Sequence, residues 1–198
     1  MKKIIIFIII INLTFSAFSQ EREASVLFND STSIKGFGEI KKEKIYFRVS
    51  LTNEKSEYSY DLAKGLVFSG YGFSEKYEYV KPDKYSKPIL MEVIEEGNVN
   101  LYKKSSSGLK MGIGVSAGNS HIGIGPEINY DYSSVYYAKR MNEENATDLT
   151  FSFKSRSLKY FSDCQIIIEK IKQREFKVDT ITEMVFYYNE YCGKENKD

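Results

Sequence analysis

In this 198-residue sequence the side chains that most often do chemistry near neutral pH are scarce: one histidine, His121, and two cysteines, Cys164 and Cys192. Imidazole and thiolate supply most general bases and soft metal ligands, so their scarcity removes most of the catalytic and metal-binding vocabulary. A lone histidine cannot build a multi-histidine metal site, and no G-x-S-x-G elbow offers it a nucleophile. His121 therefore reads as a solvated loop residue. Glu92, Glu95 and Glu96 gather near one turn and could supply a carboxylate pair for hydrolysis of an envelope glycan or peptide. Glycoside hydrolysis needs the two groups about 5 to 9 Å apart across a cleft. An acid-rich turn is more often merely soluble, and Glu95 and Glu96 fall on opposite faces of a continuing strand. No catalytic residue, metal or cofactor is expected on this reading.

The segment Met111 to Pro126, MGIGVSAGNSHIGIGP, invites three readings. Gly112, Gly114 and Ala117 match a dinucleotide-binding pattern, but that pattern needs a strand before it and a helix after it. The upstream Ser105-Ser106-Ser107-Gly108 reads as a loop, and Gly123, Gly125 and Pro126 would break any helix. A P-loop is excluded, because no Gly-Lys-Ser or Gly-Lys-Thr occurs in the chain. The third reading is two short strands turning at Gly118-Asn119-Ser120, with Gly112, Gly114, Gly123 and Gly125 alternating against Ile and Val. Such a glycine face lets another backbone or an aromatic ring approach closely. It is a docking surface or a mobile flap on one view, and a hairpin packed on its own sheet on the other. Tyr136 and Tyr137 extend the possible interaction surface, since tyrosine rings suit interfaces.

Cys164 and Cys192 lie on predicted helical faces. Behind Ser162-Asp163-Cys164-Gln165, which has the form of a capping box, Cys164, Ile167, Ile168 and Ile171 fall on one stripe. Behind a second box, Thr180 to Glu183, Ile181, Met184, Val185, Tyr188, Tyr191 and Cys192 repeat it. If Gln173 to Asp179 turns the chain back, the two helices form an antiparallel hairpin that juxtaposes the cysteines. Two buried free thiols are the alternative.

The first residues, MKKIIIFIIIINLTFSAFSQ, join a dibasic start to an apolar run and to small residues at Ala17 and Ser19, the pattern of a secretory signal peptide over residues 1–19. The apolar run of about 12 residues spans near 18 Å, short of the roughly 30 Å a spanning helix must cross. Mature protein would begin at Gln20 and carry no transmembrane helix. An oxidising compartment, periplasm or cell surface, favours pairing of the cysteines. Without Lys2 and Lys3 the 28 basic side chains become 26 against 27 acidic ones. With no basic patch, nucleic acid is not an expected partner.

Ala24 to about Ala138 reads as strands. Ala24–Phe28, the turn Asn29 to Thr32, and Ile34–Ile40 look like a hairpin, followed by Lys44–Leu51 with Ile45, Phe47, Val49 and Leu51 on one face. A polar opposite face argues for antiparallel pairing. Leu62–Phe68, Tyr77–Val80, Ile89–Ile94, Val99–Tyr102, Ser133–Lys139 and Leu149–Phe153 complete the set. The expected fold is α+β: an antiparallel β-rich body over 20–154, with a glycine-rich hairpin excursion at 105–132, then a C-terminal helical hairpin within a tail over 155–198.

The sequence also resembles a family of small exported proteins of unknown function found in bacteria of the Bacteroidetes group. The residues that carry the likeness are Phe18-Ser19-Gln20, Gly36, and Leu90-Met91-Glu92-Val93 leading through Gly97 to Leu101-Tyr102. Tyr136-Tyr137, Asp163-Cys164 and Tyr188-Asn189 complete it. The resemblance implies a fold and an envelope location and carries over no active site. Together these readings give an exported, non-enzymatic envelope protein that binds an envelope protein or ligand. The alternatives are a carboxylate-dependent hydrolase and an accessory subunit of an outer-membrane assembly whose Gly112 to Gly125 segment adds strands to a partner.

Overall fold

The computed structural model describes residues 21–70, 72–118 and 121–193, with 73, 105–118 and 121–133 described through their backbone. The leader expected over 1–19 lies outside the described residues. The described residues form a β-rich α+β fold of ten strands and three short α-helices, with antiparallel strand pairing in every assigned pair of neighbours. The chain divides into two compact units, Met1–Lys76 and Tyr77–Asp198.

In the first unit, β1 (Arg22–Phe28), β2 (Ser33–Lys41), β3 (Lys44–Arg48), β4 (Ser56–Tyr58) and β5 (Ala63–Gly70) pair in the order β5-β1-β2-β3-β4. Alternation decides which side chains go inside: Ala24 and Val26 of β1, Ile45 and Phe47 of β3, and Leu66 and Phe68 of β5 are buried. Asp30 shapes the first turn by accepting from the Thr32 amide and hydroxyl. At Gly36 the strands approach so closely that an added Cβ would lie 2.7 Å from the Phe47 ring and 2.9 Å from the Val49 Cα. Lys42 and Glu43 close the β2–β3 hairpin with φ of 50° and 61°, the left-handed pair that a two-residue turn requires.

The third strand is shorter than its alternation predicts. It stops at Arg48, leaving Val49 and Leu51 60% and 56% exposed. The Arg48 guanidinium donates to the Leu51 carbonyl at 2.6 Å and to Glu21 at 2.7 Å, curling the chain into a turn. Lys55 bridges the carboxylates of Glu21 and Glu39, both nearly buried. Such pairing is the condition for retaining carboxylates there.

The sixth strand, β6 (Phe73–Val80), leads into the second unit, where β7 (Ile89–Glu95), β8 (Val99–Gly118), β9 (His121–Arg140) and β10 (Thr147–Asp148) follow in the order β10-β9-β8-β7-β6. Ser105 to Gly108 is strand rather than loop, because β9 supplies a ladder partner for every residue from Val99 to Gly118. Leu149–Phe153 is not a strand. The Asp148 carboxylate accepts from the Thr150 and Phe151 amides, turning the chain into α1 (Phe153–Tyr160), so helix begins two residues before the expected boundary.

Next come α2 (Gln165–Lys172) and α3 (Ile181–Tyr187), the latter continuing as one π turn over Tyr188–Cys192. Neither capping box forms as predicted. Cys164, not Ser162, precedes α2, and the Thr180 hydroxyl accepts from the Lys177 amide of the preceding turn. The stripes are largely kept: Cys164, Ile167, Ile171, Ile181, Met184, Val185 and Tyr188 join Val99, Leu101 and Phe161 in one core cluster. Tyr191 departs from it at 62% exposure, because the wider π turn keeps Tyr188 inward and places Asn189 beside it instead. The helices contact α1 to α2 and α3 to β7 and β8.

Candidate functional site

The glycine segment lies in the distal half of a β8–β9 ribbon. Gly114 stands opposite Gly125, Gly112 opposite Glu127 and Ser116 opposite Gly123. The two-residue repeat puts the four glycines on one face of the ribbon, and Ile113, Val115, Ile122 and Ile124 on the other. The expected turn residues Asn119 and Ser120 lie outside the described residues. At the root of the ribbon Tyr136 and Tyr137 fall on opposite faces of β9. Tyr136 packs against the helical cluster, while Tyr137 packs with Val80, Met91 and Tyr102. The two tyrosines therefore do not form one patch.

The cysteines are brought together. Their Cα atoms are 5.8 Å apart with the sulfurs within bonding distance, a disulfide-capable pair. Cys164 is buried in the core cluster and Cys192 is partly buried against it.

Beside them, sequence reading missed a polar knot on Arg140. Its guanidinium donates to both Asp163 oxygens at 2.9 and 3.0 Å, to the Tyr160 carbonyl and to the Tyr188 hydroxyl. It also lies 4.7 Å from the centre of the Tyr160 ring. Tyr188 in turn donates to Asp163, and Tyr160 to Glu143. Burial, reinforced by the bond to Glu143, holds the Tyr160 phenol well above its ordinary value. Burial and the bond to Asp163 raise Tyr188 in the same direction. Both acids are thus stabilised in their neutral form by folding. This contribution is complete below the unfolded phenol value of about 10 and is lost as pH rises above it. Thermal melts across pH 8 to 11.5 should show a steep alkaline loss of stability, shallower in Tyr160→Phe. Equal slopes in the two proteins would contradict the assignment.

Among the described residues no group of three or more His, Cys, Asp and Glu is placed to hold a metal ion. Glu92 and Glu95 are brought to the same face by a bulge in β7, which lines up Glu92 with Lys103 and Glu95 with Leu101. Glu92 is committed to Lys103 at 3.1 Å. Glu95 instead borders a groove of about 480 Å³ with Lys170, Phe176, Thr182, Glu183, Phe186 and Tyr187. Phe176, Tyr187 and Tyr191 form a row, the first pair edge-on with ring centres 6.1 Å apart and the second tilted at 4.5 Å, and the Lys170 ammonium lies 5.7 Å from the Phe176 ring centre. Phe186, 52% exposed, forms the open side. This arrangement offers apolar and π surface between charged rims. Its sequence signal is that Phe186 and Tyr187 fall off the stripe that α3 buries.

In the first unit, a cavity of about 510 Å³ is bordered by Glu21, Arg22, Phe37 and Phe68. Arg22 there is held by both Glu75 oxygens and covers the Phe68 ring at 3.8 Å.

No protein-family model matches the chain, and no curated protein and no solved structure shows significant similarity to it. Among the described residues no helix is long and apolar enough to cross a membrane, which says nothing of crossing by strands.

Proposed function

We propose that the chain is an exported envelope protein with a binding or structural role, belonging with the small exported proteins it resembles. Residues 1–19 direct export and are removed after Ser19. The oxidised Cys164–Cys192 pair then fastens α2 to the end of the run that starts with α3, locking them as a helical hairpin over the core. The observation that carries the reading is the close approach of the only two cysteines, which a reducing cytoplasm would leave unused. The groove bordered by Phe176, Phe186 and Tyr187 supports binding over catalysis, since aromatic rings and charged rims recognise partners without a nucleophile.

Fractionation of cells producing the full chain, with N-terminal sequencing and a thiol count, tests this. Envelope protein beginning at Gln20 with no free thiol is expected. Uncleaved cytoplasmic protein with two free thiols would overturn it. The hydrolase alternative is tested separately by Glu92→Gln/Glu95→Gln: loss of a demonstrated polymer-cleaving activity with the fold intact would favour it.

A further inference from the structure

We infer that the ribbon strands 108–118 and 121–131 form a membrane-inserting β-hairpin, which closes into a transmembrane β-barrel with the same hairpin from other copies of this chain. The inference rests on the export reading and names what the exported protein meets. Its starting point is the register of the β8–β9 ribbon.

Register fixes two chemically distinct faces. Met111 opposes Ile128, Ile113 opposes Pro126 and Val115 opposes Ile124, so one face is apolar without interruption from Leu109 to Ala117 and from Ile122 to Tyr130. Every charged residue of the segment, Lys110, Glu127 and Asp131, falls on the other face with the glycines, Ser116 and Asn129. A water-soluble sheet face carries charge to remain soluble, whereas a barrel strand in a bilayer puts apolar residues toward lipid and polar or small ones toward the lumen.

Length agrees with this. The apolar run covers nine residues on each strand, within the roughly 9–11 that a tilted transmembrane strand needs. Toward the root it ends at Tyr130 and Tyr132 and then Ser134. Tyrosines followed by a polar residue are what the membrane interface selects.

Among the described residues, no flanking strand accompanies the hairpin along its length. Glu92 pairs with Lys103, so the start of β7 at Ile89 falls level with Ser106, and the last pair of β10 is Asp148 with Tyr137. Among the described residues, the ribbon beyond those levels continues as two strands, each with an outer edge of N–H and C=O groups. A two-stranded ribbon is marginal in water, and in hydrocarbon its edges must be paired. Identical hairpins on both edges satisfy them, and four or more copies reach the roughly eight strands of the smallest barrels.

The test uses purified chain 20–198 added to dye-loaded vesicles of phosphatidylethanolamine and phosphatidylglycerol. Dye release with detergent-resistant oligomers is expected. Ile113→Asp and Ile124→Asp, on the apolar face, should each reduce release at least tenfold while keeping the wild-type melting temperature. Ser116→Asp, on the other face, should keep release and shift the conductance toward cations. Vesicles left intact by the wild-type chain, soluble oligomers without release, or equal effects from both faces would overturn the proposal. Its failure is separable from that of export: vesicle release by a chain that cells retain uncleaved in the cytoplasm would refute export and leave the hairpin standing.

Discussion

Asn189→Ala should lower the unfolding free energy by about 2–5 kcal/mol and the melting temperature by about 5–15 °C, as measured by chemical and thermal denaturation. The Asn189 side chain reads the backbone of Val99 as a neighbouring strand would. Its Oδ1 accepts from the Val99 amide and its Nδ2 donates to the Val99 carbonyl, each at 2.9 Å. The β7 ladder has already ended at Glu95 opposite Leu101, so this amide takes over where the strand stops. Truncation orphans two backbone groups of a residue that is fully buried, and each costs its own desolvation. Gly97→Ala should weaken the same contact, because an added Cβ would come within 2.5 Å of the Asn189 Cγ. The double variant should then cost less than the two singles together, since both act on one bond pair. Strict additivity, or an Asn189→Ala loss under 1 kcal/mol, would remove Asn189 from this role.

The second large effect concerns the cysteines. Replacing both Cys164 and Cys192 with Ser, or reducing the native protein, should cost about 3–4 kcal/mol, the chain-entropy value for a 28-residue separation. The two treatments should agree, and reduction should leave the Ser variant unchanged. A reductant that leaves the wild-type denaturation midpoint where it was would show that no bond had formed. Because the link ties the start of α2 to the end of the π turn, its loss should also raise hydrogen exchange at Ile181 to Tyr188 more than in β1 to β5.

Local periodicity carried a large part of the architecture. Val26, Ile45, Phe47, Ile167, Ile171, Met184 and Val185 are buried where alternation or a 3.6-residue repeat puts them. The glycine segment is strand on both sides, as its Ile and Val alternation requires. The failures fall where a distant partner outweighs local preference. Ser105 to Gly108 has loop composition, yet it extends because Asp131 to Ser134 pair with it. Val49 and Leu51 continue the alternation of β3, yet Arg48 turns the chain away by bonding to Glu21 and Leu51. Ser162 and Thr180 have the types of capping residues, but neither side chain caps its helix. The π turn at Tyr188 to Cys192 reassigns the inward positions and exposes Tyr191.

By itself the sequence determined a β-rich α+β chain with antiparallel strands, two amphipathic helical stripes and a cysteine on each. It also implied that polar chemistry is sparse. These follow from residue type and from repeats of two and 3.6, which act within a few neighbours. Only the tertiary structure decided that Asn189 reads Val99, that Arg140 gathers Tyr160, Asp163 and Tyr188, and that Phe176 and Phe186 border a groove. It also divided Tyr136 from Tyr137 and set the register that sorts the β8–β9 ribbon into an apolar and a polar face. The reason is that each depends on groups separated by tens of residues. Their meeting is fixed by ladder register and core packing, which no local repeat specifies.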